Sequence, residues 1–324
     1  MKNQDLLSMV SCPKCHSDLN FMEKNVKCLG CGEVYDKDEN GALTFIVRSI
    51  YNSEDEYNHI ASVSNFWGAG WASRAQNDHK SFFALDRDGL HSFADEQMRQ
   101  IGPQSPEAGS GGLWSKEINF TDMKGKVGLN IGSGAGMEAL YLMTQGKCSM
   151  ITLDITKEAR DLTQGTMDKV GSGLALHGDA RYIPIDSNSI DFVYSSGVLH
   201  HSEDIAQSIQ EVYRVLKPKG VAYIGLYSKS SIFFQWRKIK SLIRRTSFSS
   251  ETEGDWRVSG SRCPHTEVFS VAECRKLFAE FEKVNIRKGA FSVPNWKIAK
   301  AFKFLEHKKY LSFIGKGIYI KAVK

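Results

Sequence analysis

Between Val127 and Asp154 a short apolar run, Val127-Gly128-Leu129-Asn130-Ile131, breaks into three glycines at alternate positions, Gly132, Gly134 and Gly136. A helical pattern follows over Met137-Glu138-Ala139-Leu140-Tyr141-Leu142-Met143, and a second apolar run, Ile151-Thr152-Leu153, ends in Asp154. Strand, tight turn, helix, strand accounts for all of it, because glycines let the backbone turn sharply and approach a ligand closely. The first helical turn offers unpaired N–H groups, and an acid 22 residues beyond Gly132 can accept from a ribose diol. The stretch reads as a nucleotide-binding βαβ unit, so an α/β fold is expected.

The same alternation continues. Residues 159–170 read as a helix, Leu174-Ala175-Leu176-His177-Gly178-Asp179 as a strand ending in an acid, and Ile190-Asp191-Phe192-Val193-Tyr194-Ser195-Ser196 as a fourth strand. Then come Ser196-Gly197-Val198-Leu199-His200-His201, a helix containing Glu211-Val212-Tyr213-Arg214-Val215-Leu216-Lys217-Pro218-Lys219-Gly220, and a strand, Val221-Ala222-Tyr223-Ile224-Gly225-Leu226. A dinucleotide fingerprint wants G-x-G-x-x-G, and Met137 stands where its third glycine belongs. The spacing G-x-G-x-G with an acid closing the next strand instead resembles motif I of the class I S-adenosylmethionine-dependent methyltransferases. The run 178–193 resembles their motifs II and III, and the block 196–226 resembles the ubiquinone and menaquinone biosynthesis type. The resemblance covers about 121–228.

It implies a doubly wound, Rossmann-like sheet of seven strands, the last inserted antiparallel. It also implies an S-adenosylmethionine site at Asn130, Gly132, Ser133, Gly134, Asp154, Ile155, Asp179, Ala180 and Ser196, with Asp154 on the ribose and Asp179 on the adenine amino group. Two positions depart from the pattern: Asn130 replaces a usual Asp, and Lys219 a usual Gly.

Four of the seven cysteines form two C-x-x-C pairs, Cys12/Cys15 and Cys28/Cys31, separated by twelve residues. Four thiolates complete a tetrahedral shell with no open position, which predicts a structural zinc ribbon; two disulfides are the alternative. His16 is surplus to that set. Residues 32–36 and 43–47 read as the hairpin closing the ribbon. Many bacterial methyltransferases of this broad group begin with a cysteine module, and so do ribosomal RNA guanine methyltransferases, although their module typically ends in a histidine.

The expected organisation is a ribbon over 1–50, a helical cap over 51–120, and the Rossmann-like domain over 121–324 with a lid inserted at about 228–266. The cap carries Phe66, Trp67 and Trp71 within six residues and a polar loop at 102–112. An aromatic segment of this kind packs over the cofactor in similar methyltransferases; simple core packing is the other reading. In the lid Ile232, Trp236, Ile239 and Ile243 fall on one face among Arg237, Lys238, Lys240, Arg244 and Arg245. Such a helix either closes on the substrate pocket or touches anionic lipid. Ser270 three residues before Glu273 marks a capped helix, followed by a strand near 281–286 and a final one near 317–322.

The net charge of +5 divides unevenly: residues 229–245 and 287–324 sum to +15 and the remainder to −10. No run of 18 apolar residues exists and the N-terminus has no hydrophobic signal core, so neither a membrane span nor secretion is expected and the cytoplasm is the expected compartment. Methyl transfer from a sulfonium is an in-line displacement that mainly requires orientation and exclusion of water. His200 is the candidate base, at the end of the fourth strand, with His265 a second acceptor-side histidine and His201 structural. The chain lacks the Asn/Asp-Pro-Pro-aromatic motif of DNA amine methylation and a Pro-Cys or Thr-Cys nucleophile, which argues against DNA. The expected acceptor is a small or lipid-linked metabolite methylated at O, N or C; a zinc-ribbon RNA methyltransferase and a non-catalytic binding module are the alternatives.

Overall fold

The computed structural model describes residues 3–38, 41–77, 80–101, 118–171, 173–243, 257–258, 261–289, 315 and 317–324. The polar loop at 102–112, Arg244 and Arg245, and most of the second basic stretch lie outside them. A short helix α1 (Asn3–Leu7) leads into an antiparallel three-stranded sheet of β1 (Leu19–Phe21), β2 (Asn25–Cys28) and β3 (Val34–Asp36). Three helices follow, α2 (Glu54–Gln76), α3 (Lys80–Phe83) and α4 (Arg87–Ile101).

The main domain then alternates β4 (Val127–Ile131), α5 (Met137–Gly146), β5 (Ser149–Asp154), α6 (Lys157–Val170), β6 (Gly173–His177), β7 (Ile190–Ser196), α7 (Ile205–Val215) and β8 (Leu216–Tyr227). After it come α8 (Ile232–Ile243), the two-residue strands β9 (Arg257–Val258) and β10 (Ser261–Arg262), α9 (Val271–Leu277), β11 (Lys283–Lys288) and β12 (Gly317–Val323). Its seven strands run β11-β12-β8-β7-β4-β5-β6, with β4 to β8 parallel and β12 antiparallel to both neighbours. This is the expected doubly wound order with its inserted last strand.

Every residue of β4 and β5 is buried, as strands covered on both faces require. One face packs Leu129, Ile151, Ile224 and Ile320 against α7 and α9; the other packs Met150, Phe192 and Tyr223 against α4, α5 and α6. The chain leaves β4 first toward β5 and later returns to its other side as β7, opening a crevice at the carboxyl ends of β4 and β7.

The ribbon is not a separate body. Leu6, Val10, Tyr35 and Phe45 belong to the same apolar cluster as Ile183 and Ile185. Val10 bridges Ile185, and Thr44 bridges His177 at the end of β6. The expected closing hairpin is thus confined to a Lys37–Leu43 bridge, because residues 44–45 pair with the main sheet, Phe45 N donating to the His177 carbonyl at 2.9 Å.

Candidate active site

The crevice holds an open-mouthed cavity of about 780 Å³, counting the space in its mouth. Its floor is the turn after β4. Gly132 and Gly134 have φ of 76° and 54°, and a Cβ on them would stand 2.2 Å from Val198 and 2.5 Å from the Trp71 ring. Both the backbone shape and the space therefore require glycine. Asp154, at the end of β5, is buried and lines the cavity. Its Oδ2 accepts from Gly134 N at 3.1 Å, and its Oδ1 accepts from the Thr156 N–H and hydroxyl at 2.9 and 3.0 Å. Burial nevertheless pushes its carboxyl above the ordinary range, with those donors opposing.

Helix α2 forms the opposite wall. The Ser53 side chain caps it by accepting from Glu56 N, and Ser64 Oγ donates to the Ile155 carbonyl at 2.8 Å, which pins the helix to the end of β5. Ile60, Val63, Trp67 and Trp71 face the cavity. The aromatic segment thus packs over the glycine turn.

At the third corner Arg181 grips Asp179 through Nε and Nη2, the latter at 2.7 Å, and reaches Glu56 at 2.7 Å and Glu203 at 3.2 Å. The Tyr51 hydroxyl donates to Asp179 Oδ2 at 3.4 Å. Three carboxylates around one guanidinium leave this wall net negative. The surrounding acids keep Arg181 fully charged despite its burial.

Of the nine residues expected to bind a cofactor, Gly132, Gly134, Asp154, Ile155, Asp179 and Ala180 line the cavity together, and Asn130, Ser133 and Ser196 do not. Asn130 turns to the other face of β4, where its Nδ2 donates to the Tyr194 carbonyl at 3.3 Å; strand alternation sends Ile131 to the cavity in its place. His200 also departs from expectation. It is 0% exposed and its ring lies 3.7 Å from that of Tyr227, whereas His201 is the histidine on the cavity wall. Both belong to one 3-10 turn (Leu199–His201) with their rings 4.3 Å apart, and only the second reaches the cavity. His265 is placed behind His201, its carbonyl 2.9 Å from His201 Nδ1. Glu203 and Arg181 complete the wall; Arg181 had a signal, its adjacency to Asp179, while Glu203 had none.

In α8 the row Ile232, Trp236, Ile239 and Ile243 faces away from the cavity, 40–73% exposed, and none of the described residues of α8 lines it. Periodicity defines a face without saying where it points. Here Phe234, Arg237 and Ser241 turn inward, and the start of the helix is tied down by Lys229 to Glu273 and by Lys288 to Ser230.

Away from the cavity, Cys12, Cys15, Cys28 and Cys31 bring their sulfurs within 4.8 Å of one another. Four thiolates about 2.3 Å from one ion stand roughly 3.8 Å apart, and Cys12–Cys31 and Cys15–Cys28 are at 3.7 and 3.4 Å. Gly30 N and Cys31 N donate to Cys28 Sγ at 3.3 and 3.4 Å, as a thiolate knuckle requires. Burial pushes the Cys12 thiol up to about 12, while the Ser17 hydroxyl draws Cys15 down to about 6, so a bound cation has protons to displace.

Residues 129–224 match the family model of a methyltransferase domain. The biotin biosynthesis bifunctional protein BioHC of Cellvibrio japonicus is 30% identical over 42% of this chain and 27% of its own length. The demethylmenaquinone methyltransferase of Staphylococcus aureus is 24% identical over 56% of this chain and 78% of its own. A solved SAM-dependent methyltransferase from Methanosarcina mazei has a TM-score of 0.45 at 18% identity, covering 62% of this chain and 93% of that one. The chain spans little more than a quarter of the first of these relatives.

Proposed function

We infer that this chain, whose residues 129–224 carry a methyltransferase domain in a class I methyltransferase fold, binds S-adenosylmethionine and passes its methyl group to a small or lipid-linked acceptor. The observation that carries this is Asp154, buried at the cavity wall beside two glycines whose Cβ positions are already filled by Val198 and Trp71. The donor set fits the cofactor: a carboxylate for a ribose diol, a second carboxylate for the adenine amino group, and apolar and aromatic walls for the adenosyl group. Bound there, S-adenosylmethionine supplies an electrophilic methyl group on a sulfonium.

The chain's own part is binding, orientation and exclusion of water. Asp154 would hold the ribose, and Asp179 would meet the adenine while sharing its oxygens with Arg181 and Tyr51. Trp67 and Trp71 cover the cavity and keep water from it. On the acceptor side His201 takes the place expected for His200. Its Nδ1–H donates to the His265 carbonyl, Thr266 Oγ1 lies 3.0 Å away, and burial lowers its pKa to about 4, so the ring is neutral near pH 7. Its Nε2 is buried and has no hydrogen-bond partner among the described residues, so it would accept from an acceptor's O–H or N–H once the bound molecule displaces what covers it.

The four cysteines are read as a structural zinc site. An RNA acceptor is disfavoured because residues outside the two late basic stretches sum to −10. Calorimetric titration with S-adenosylhomocysteine tests the assignment. Heat is expected for the wild type, with affinity roughly tenfold to a hundredfold weaker in Asp154→Ala, the worth of a hydrogen bond to a charged group. No heat, or unchanged affinity in the variant, would remove the basis of the assignment.

A further inference from the structure

The stretch 229–245 carries six Lys/Arg and no acid, and three of them, Arg237, Lys238 and Lys240, lie within α8. At 100° per residue, Ile232, Trp236, Ile239, Leu242 and Ile243 occupy an arc of about 120° interrupted only by Gln235, with Lys238 on one flank and Lys240 on the other. That arc faces solvent: Ile239 is 48% exposed, Leu242 69% and Ile243 73%. The opposite side, Phe234, Arg237 and Ser241, is the one packed on the protein. A helix that leaves its apolar row outward has no solubility reason to do so.

We propose that α8 is an interfacial helix that docks this protein on an anionic lipid surface. Charge and shape together select that occupant. The apolar arc is wide enough to sink into the headgroup boundary over a length of about 18 Å, and the flanking lysines lie where lipid phosphates and serine carboxylates would be. A nucleic acid would use the cations and leave the isoleucines in water, and an acidic protein groove offers no comparable match to lysines on both edges of the row. The helix follows β8 directly at the carboxyl end of the parallel strands, the end that holds the cavity. The proposal does not depend on methyl transfer.

The test is sedimentation of the full chain with vesicles of phosphatidylcholine alone and of phosphatidylcholine mixed with phosphatidylserine. The wild type is expected to pellet with the mixed vesicles, on the order of tenfold or more better than with the neutral ones, and to be released by salt. Ile239→Asp with Ile243→Asp changes only exposed positions and should lose most of the binding. Lys238→Gln with Lys240→Gln should weaken it by about tenfold or more. A wild type that stays in the supernatant with mixed vesicles, or variants that pellet as it does, overturns the proposal. So does competition by polyuridylic acid that the double aspartate variant leaves intact.

Discussion

His177 joins two parts of the molecule through a single ring. Nδ1 accepts from the Thr44 hydroxyl at 3.2 Å and Nε2–H donates to the Ile155 carbonyl at 3.1 Å, while the backbone carbonyl accepts from Phe45 N. Burial lowers its pKa to about 4, so the folded state keeps the ring neutral where the unfolded chain, with a pKa near 6.5, already binds a proton. Stability from this group is complete above about pH 6.5 and is lost as pH falls toward 4, by at most about 3 kcal/mol. Urea unfolding across that window should show the loss, and His177→Gln should reduce the slope by one group's share, leaving the part that His201, also lowered to about 4, contributes; an equal slope in the variant would contradict the assignment. Sequence made Asp154 and the glycines legible because backbone conformation and ligand approach restrict residue type at those positions. It did not separate His200 from His201, since a 3-10 turn has no period that tells one neighbour from the next. Nor did it show that Lys219, standing where glycine is usual, would adopt φ 67°, a left-handed conformation costing roughly 1–2 kcal/mol, with its N–H donating to the Lys324 carbonyl at 2.8 Å.

The elements differ in how far pattern alone could place them. The capping box of α9 was fully written in sequence, and Ser270 and Glu273 make both reciprocal bonds. The face of α8 was legible and its direction was not, because an outward apolar row and an inward one have the same spacing. The ribbon's cysteine spacing predicted the knuckles, but its docking on β6 depends on Thr44, Phe45 and His177 meeting from distant parts of the chain. That docking shapes the effect of metal removal. Chelation, or Cys12→Ser, should unfold the ribbon and also expose the apolar surface of Ile183 and Ile185, so the whole protein should lose several kcal/mol of the about 5–15 that a domain commands. Hydrogen exchange would register it as faster exchange at 26–28 and at 183–185 together. A freshly purified protein without zinc, or exchange confined to the ribbon, would contradict it.

Over the whole molecule, the alternation of strand and helix determined the sheet order, since parallel strands demand crossovers and the return of β7 to the far side of β4 creates the crevice. Less legible was the division of labour around it: α2 roofs the cavity with Trp67 and Trp71, while the basic amphipathic helix faces away. Among the described residues no helix is long and apolar enough to cross a membrane. The central claim is that the crevice is an S-adenosylmethionine site, and the most direct measurement is a crystal structure of the protein grown with S-adenosylhomocysteine. The expected result is ligand density between Trp71 and Gly134, with the ribose hydroxyls on Asp154 and the adenine beside Asp179. Density elsewhere, or an empty crevice at saturating ligand, would contradict it.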